Sequence, residues 1–292
     1  MSDFKEIKAK YINPYTDFGF KRLFGVEANK DLLIDFLNQM LPAKHQINSL
    51  VFKNTENIPE LSEDRKAIFD IHCESITGKR FIVEMQKAKI KYFKDRAVYY
   101  VTFPIIEQAG KGDWNFKLNP IYYITLLDFY YEPHNKKKTQ IPKFRRDVML
   151  IDQYGKVFYN KLRFTFMQMP AFDKKEDQLE THYDKWCYFL KHLEEFNDIP
   201  TILNEPVFQQ AFKTAEIANL SKDEYKKYLD SLDAYREIKG VTENAMEEGR
   251  NLEKNETAIK GIKAGLPNET IKMLTDLSEG KINDLRKQIY DK

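Results

Sequence analysis

At 292 residues the chain is long enough for one large domain or two, with a sizeable core. Hydrophobic residues make up 42% and charged residues 32%, the balance of a water-soluble globular protein, and no run of 18 apolar residues or signal-peptide profile is present. A cytoplasmic protein with no membrane partner is therefore expected, and the two distant cysteines, Cys73 and Cys187, argue against a disulfide framework or a structural zinc. The net charge of +2 conceals an asymmetry: residues 1–172 hold 28 Lys and Arg against 20 Asp and Glu, and the remainder 19 against 25. A basic N-terminal part supports nucleic-acid binding, although ordinary surface variation gives the same count.

In chain order, TDFGFKRLFG (16–25) reads as a short helix capped by Thr16. Residues 31–41 show helical spacing, with Leu33, Phe36, Leu37 and Met40 in one stripe and Pro42 as the stop. INSLVFKN is a first strand, and residues 55–65 are a polar loop. Lys66 to Lys87 reads as two further strands joined by a turn, and Lys89 to Ala109 as a long helix kinked at Pro104 and ended by Gly110 and Gly112. In that helix Arg96, Tyr99, Tyr100 and Phe103 are spaced to share a face. LNPIYYITLLDF is apolar enough to be a strand buried on both faces. After a solvated turn at HNKKK (134–138), RDVMLIDQYG and VFYNKLRFTFMQMP form a hairpin that extends the sheet. Beyond Asp173 the pattern is helical to about Arg250, and residues 251–292 form short helices around a Pro267-Asn268 turn.

The chemistry is carried by KAIFDIHCESITGKRFIVEMQK (66–87). Alternation puts Asp70 and His72 on one face of the first strand, and Glu84 and Gln86 on one face of the second. Asp70 meets Glu84 across the hairpin only if the connection holds an odd number of residues or a bulge, and a three-residue loop at Thr77-Gly78-Lys79 satisfies this. Two carboxylates so placed repel each other, and a divalent cation between them relieves the repulsion.

An acid on one strand followed by E-x-Q on the next resembles the PD-(D/E)XK nuclease superfamily, in particular its nuclease-family transposases, which are related to recombination-promoting nucleases. TDFGFKRLFG is similar to the family's opening motif. YFKDRAVYY (92–100) and IIEQAGKGDWNFKLNPIYYITLLDF (105–129) are similar to its helix and fourth strand, and WCYFLKHLEE (186–195) and the Glu/Lys/Gly-rich tail also fit. QMPAF (168–172) departs from the family's E-L-P-K-F-like segment, which leaves the function of that stretch open.

The resemblance implies an α/β fold: a restriction-endonuclease-like mixed sheet flanked by helices, with an all-helical C-terminal region. The expected division is a nuclease core over 1–172, a helical region over 173–250 and a helix-turn-helix-like tail over 251–292. It implies a metal-dependent DNA endonuclease with a role in transposition or recombination. Asp70 and Glu84 would hold Mg²⁺, with Mn²⁺ or Ca²⁺ able to take its place, and Gln86 would orient the attacking water where many superfamily members carry lysine. Asp17 would supply a further acid or merely cap its helix, while Lys87 and Arg96 would meet phosphate or, for Arg96, a carboxylate. His72 reads better as a structural histidine than as a base, and Tyr99 as packing. DNA is the expected partner, with room for a homo-oligomer or a protein partner through the helical C-terminal region. Two other classes stay open: a non-catalytic DNA-binding protein that keeps the fold, and a helical protein-interaction module.

Overall fold

The computed structural model describes residues 8–53, 69–109, 114–131 and 143–290, so the polar loop at 55–65, the glycines at 110 and 112 and the HNKKK turn lie outside the described residues. Contacts divide the chain into two units, Met1–Tyr235 and Arg236–Lys292.

The first unit is built on a six-stranded mixed sheet in the order β1-β2-β3-β4-β6-β5. Its strands are β1 (Leu50–Phe52), β2 (Ile71–Ser75), β3 (Arg80–Gln86), β4 (Ile121–Leu127), β5 (Arg145–Ile151) and β6 (Val157–Gln168). The pairs β1–β2, β2–β3 and β5–β6 are antiparallel, whereas β3–β4 and β4–β6 are parallel. β4 is central and buried at every position, as its unbroken apolar run requires. The β3–β4 crossover is made by α3 (Phe93–Ile106), shorter than the periodic stretch, with Pro104 in its last turn.

Each strand face has its own core. Phe81, Val83 and Met85 of β3 join Ile71, Cys73, Tyr122, Ile124 and Leu126 beneath α1 (Asp17–Phe24), α2 (Lys30–Asn38), α4 (His182–His192) and α5 (Pro206–Ala215). Ile82 joins Phe69, Tyr123, Phe164 and Phe166 on the other face, under Phe93, Ala97 and Val101 of α3. The buried stripe of α3 is therefore not the one its aromatic spacing suggests, because Tyr99 and Val98 point to solvent. The first core extends into residues expected to form a separate helical region: Trp186, Phe189, Leu190, Phe208, Phe212 and Tyr228 are fully buried in it. The unit consequently continues past residue 172, to Tyr235 in the first part of α6 (Lys222–Lys263).

The opening motif is an intramolecular clamp. Asn13 accepts from Tyr15 N at 2.8 Å through Oδ1 and donates to Glu194 Oε2 at 2.7 Å, while its own N–H donates to Tyr228 Oη at 2.9 Å. Thr16 caps α1, its Oγ1 accepting from Gly19 N at 2.9 Å and donating to Asn13 O at 2.8 Å. Gly19 is dictated by this closeness, since a Cβ there would lie 2.2 Å from Asn13 O.

The second unit has its own small core of Ala258, Ile262, Ile271, Ile282 and Leu285, drawn from the end of α6, α7 (Asn268–Thr275) and α8 (Glu279–Tyr290). Its first helix is not a separate element but the end of α6, which runs for 42 residues because no proline or turn signal interrupts it.

Candidate active site

The β2–β3 hairpin sets the geometry. Ile71 pairs with Val83 and His72 with Ile82, a register that carries Asp70 opposite Glu84. Parity is satisfied by a three-residue loop, but it is Ile76-Thr77-Gly78, one residue earlier than the spacing suggests: Ser75 N donates to Lys79 O at 2.8 Å and closes the loop. The left-handed residue is the third of such a loop, and Gly78 holds that place with φ of 79°.

Asp70 sits at a bend just before β2 and is half-buried, whereas Glu84 is only 1% exposed. The two residues interlock. Asp70 N donates to Glu84 Oε1 at 3.3 Å, and Met85 N donates to Asp70 Oδ2 at 2.7 Å. Gln86 Nε2 lies 3.4 Å from Glu84 Oε2, and Arg96 Nη2, from the first turn of α3, lies 3.3 Å from the same oxygen. Arg96 also rests over the Tyr100 ring at 4.9 Å. Thr125 of β4 faces Glu84 in register.

Burial, then the Asp70 charge, pushes the Glu84 carboxyl up to about 8 against the opposing pull of Arg96. Burial also raises Asp70, with Asp17 adding to the rise and the Met85 N–H, Lys21 and Lys87 opposing it. Two adjacent carboxyls that both resist ionisation, offset by one guanidinium, form a site short of positive charge. Their oxygens are the hard donors that a divalent cation such as Mg²⁺ takes, so the residues fit that ion. Among the described residues no group of three or more His, Cys, Asp or Glu is placed to hold a metal.

The other expected residues fall in different places. Asp17 stands at the start of α1 and pairs with Lys21 at 3.1 Å; its charge reaches Asp70, but it does not join the pair. Lys87 follows β3 directly and is half-exposed, near enough for its charge to act on Asp70. Arg96 is a carboxylate partner in this state. His72, 1% exposed, shares the acid face but lies 3.8 Å from Glu107 and beside the Phe69 ring, in the apolar layer under α3.

A family model described as PD-(D/E)XK nuclease family transposase matches residues 14–245. The chain belongs to that family. No curated protein and no solved structure matches it. The six-stranded mixed sheet flanked by helices, with helices at the C-terminal end, is the family's restriction-endonuclease-like fold. Nothing in the sequence pattern singled out Gln168, in the stretch that departs from the family's usual segment. Its side chain is fully buried, accepting from Tyr131 N at 2.6 Å and donating to Lys143 O at 2.5 Å, so it ties the end of β4 to the approach to β5. That double use was legible only once the partners of β6 were known.

Proposed function

We propose that this chain is a divalent-cation-dependent DNA endonuclease acting in transposition or recombination, with its active site at Asp70, Glu84 and Gln86. The observation that carries the reading is the interlocked pair of acids, half-buried Asp70 just before β2 and buried Glu84 near the end of β3, in a member of a nuclease transposase family. Asp70 and Glu84 would hold the cation, Mg²⁺ being the natural choice. When bound, the cation supplies a Lewis acid for the scissile phosphate and hydroxide near neutral pH.

The protein's own groups do the rest. The Met85 N–H fixes one oxygen of Asp70, leaving the other for an ion. Gln86, on the face of Glu84, presents an amide that orients water but, unlike lysine, neither carries charge nor donates a proton readily. Arg96 supplies the positive charge instead. Its guanidinium, held over Tyr100, has further N–H donors for a phosphate oxygen once an ion takes over Glu84. No base-reading motif is evident, so low sequence specificity is expected. The cytoplasm remains the expected location; among the described residues no helix is long and apolar enough to cross a membrane.

A plasmid-nicking assay in Mg²⁺ tests this reading. Asp70→Asn and Glu84→Gln should each slow nicking by at least about 100-fold, the scale of losing a group that stabilises transition-state charge. Equal nicking by wild type and both variants would remove the assignment.

A further inference from the structure

The acid face of β3 has a polar neighbour on β4. In the parallel pair Ile82 lies beside Tyr123, Glu84 beside Thr125 and Gln86 beside Leu127. Ile82, Tyr123 and Leu127 all belong to the core under α3, so alternation puts the Thr125 side chain on the Glu84 face. The two backbones are about 4.8 Å apart there, the ordinary spacing of adjacent strands. Thr125 is only 1% exposed, and its Oγ1 makes no hydrogen bond. Tyr123, two residues back on the same face, is a polar companion, but no hydrogen bond joins the two.

A buried hydroxyl left unpaired is costly, because it forfeits water and gains nothing in return. Valine has nearly the same shape and suits a buried strand equally well, so packing does not explain threonine at this position. The donors on Glu84 are also loosely placed. Asp70 N and Arg96 Nη2 lie 3.3 Å from its oxygens and Gln86 Nε2 3.4 Å, all beyond the usual 2.7–3.2 Å. Arg96 has its Nε buried without an acceptor as well. The polar groups around this carboxylate are therefore incompletely used in the metal-free chain. Mg²⁺ held by one or two carboxylates keeps several waters, and groups that hold such waters and ligands tune its affinity. A threonine hydroxyl both donates and accepts and adds no charge, which suits it to hold a water beside two acids.

We infer that Thr125 is a positioning residue of the Asp70/Glu84 site, its hydroxyl holding a water of the bound cation's shell beside Glu84. The inference rests on the reading of the two acids as a divalent-cation site, and adds to it a neutral group from the neighbouring strand. It accounts for a hydroxyl at the β4 position in register with Glu84, in a strand otherwise built of Ile, Leu and Tyr.

The test pairs Thr125→Val, which removes the hydroxyl at nearly constant shape, with Thr125→Ser, which keeps it. Mg²⁺ binding is read as the rise of the melting temperature with added Mg²⁺, so that DNA and turnover play no part. Thr125→Val should melt as high as wild type in EDTA, since no hydrogen bond of the metal-free chain is lost. Its apparent Kd for Mg²⁺ should rise by about 10–100-fold, the range for losing a group that supports metal ligands, and Thr125→Ser should restore most of the affinity. If Thr125→Val does not fold, Thr125→Ala is compared with Thr125→Ser in its place. An unchanged Kd in the variant without the hydroxyl would overturn the inference and leave the cation site standing. A weakened Kd that serine does not restore would also overturn it, because shape rather than the hydroxyl would be responsible. A wild type without a Mg²⁺ response, or one whose response survives in Glu84→Gln, would overturn the cation site and the inference together.

Discussion

Burying a carboxylate to 1% exposure beside a second acid is unfavourable unless something offsets the charge, and Arg96 alone does so incompletely. The consequence is a pH dependence with a definite sign. Glu84 has a raised carboxyl in the folded chain, so between the ordinary carboxylate range and about 8 the folded state binds more protons than the unfolded one. Stability in EDTA should then fall as pH rises through that window, the reverse of the usual salt-bridged acid. Thermal melts should show this decline in wild type and a flatter profile in Glu84→Gln, with the variant a few degrees more stable at the alkaline end, at about 2–4 °C per kcal/mol for a domain of this size. Mg²⁺ should reverse the trend in wild type and bind more tightly with rising pH, because the ion requires the ionised pair. Identical pH profiles for the two proteins in EDTA would show that Glu84 is an ordinary carboxylate.

At the scale of elements, the hairpin and the opening clamp are each set by backbone geometry. Strict alternation along β2 and β3 made the shared face of Asp70 and Glu84 legible in advance, since a strand has a period of two whatever surrounds it. The loop was misplaced by one residue because odd parity admits more than one frame; the Ser75–Lys79 closing bond and the left-handed glycine select the frame. TDFGFKRLFG reads correctly as a capped helix, but the reason for its glycine lies in Asn13, whose carbonyl leaves no space for a Cβ. Gly19→Ala should destabilise the protein by about 1–3 kcal/mol, the usual cost of forcing extra volume into a packed site. A thermal melt checks it, and an unchanged midpoint would mean that α1 shifts freely. Asp17, next to the cap Thr16, is occupied with Lys21, which explains why its motif carries structural weight more visibly than chemistry.

At the scale of the molecule, α4, α5 and the start of α6 are part of the body that carries the sheet. Trp186, Phe189, Leu190, Phe208, Phe212 and Tyr228 are fully buried in the core beneath β3 and β4. At about 1.5–3 kcal/mol for each large apolar side chain, their loss is comparable with the 5–15 kcal/mol that stabilises a typical domain. A chain ending at Phe172 should therefore lack a cooperative melt, whereas one ending near residue 240 should keep the melt of the first unit. Circular dichroism on the two truncations distinguishes them, and a cooperative transition in the shorter one would restore a boundary at 172. The composition shift after Asp173 is real, but charge counts surface residues, and domain membership is decided by the apolar minority facing inward.

The sequence by itself determined what depends on local periodicity: the helices, the alternating strands, the parity of the two acids, and the family to which these motifs belong. Tertiary structure alone decided what depends on residues distant along the chain. It brought Arg96 onto Glu84, set Thr125 beside it on the neighbouring strand, and spent both ends of the Gln168 amide on Tyr131 and Lys143. The physical reason is that side-chain direction along one strand follows from a fixed repeat, whereas the neighbours of that strand follow from how the whole chain buries its apolar faces.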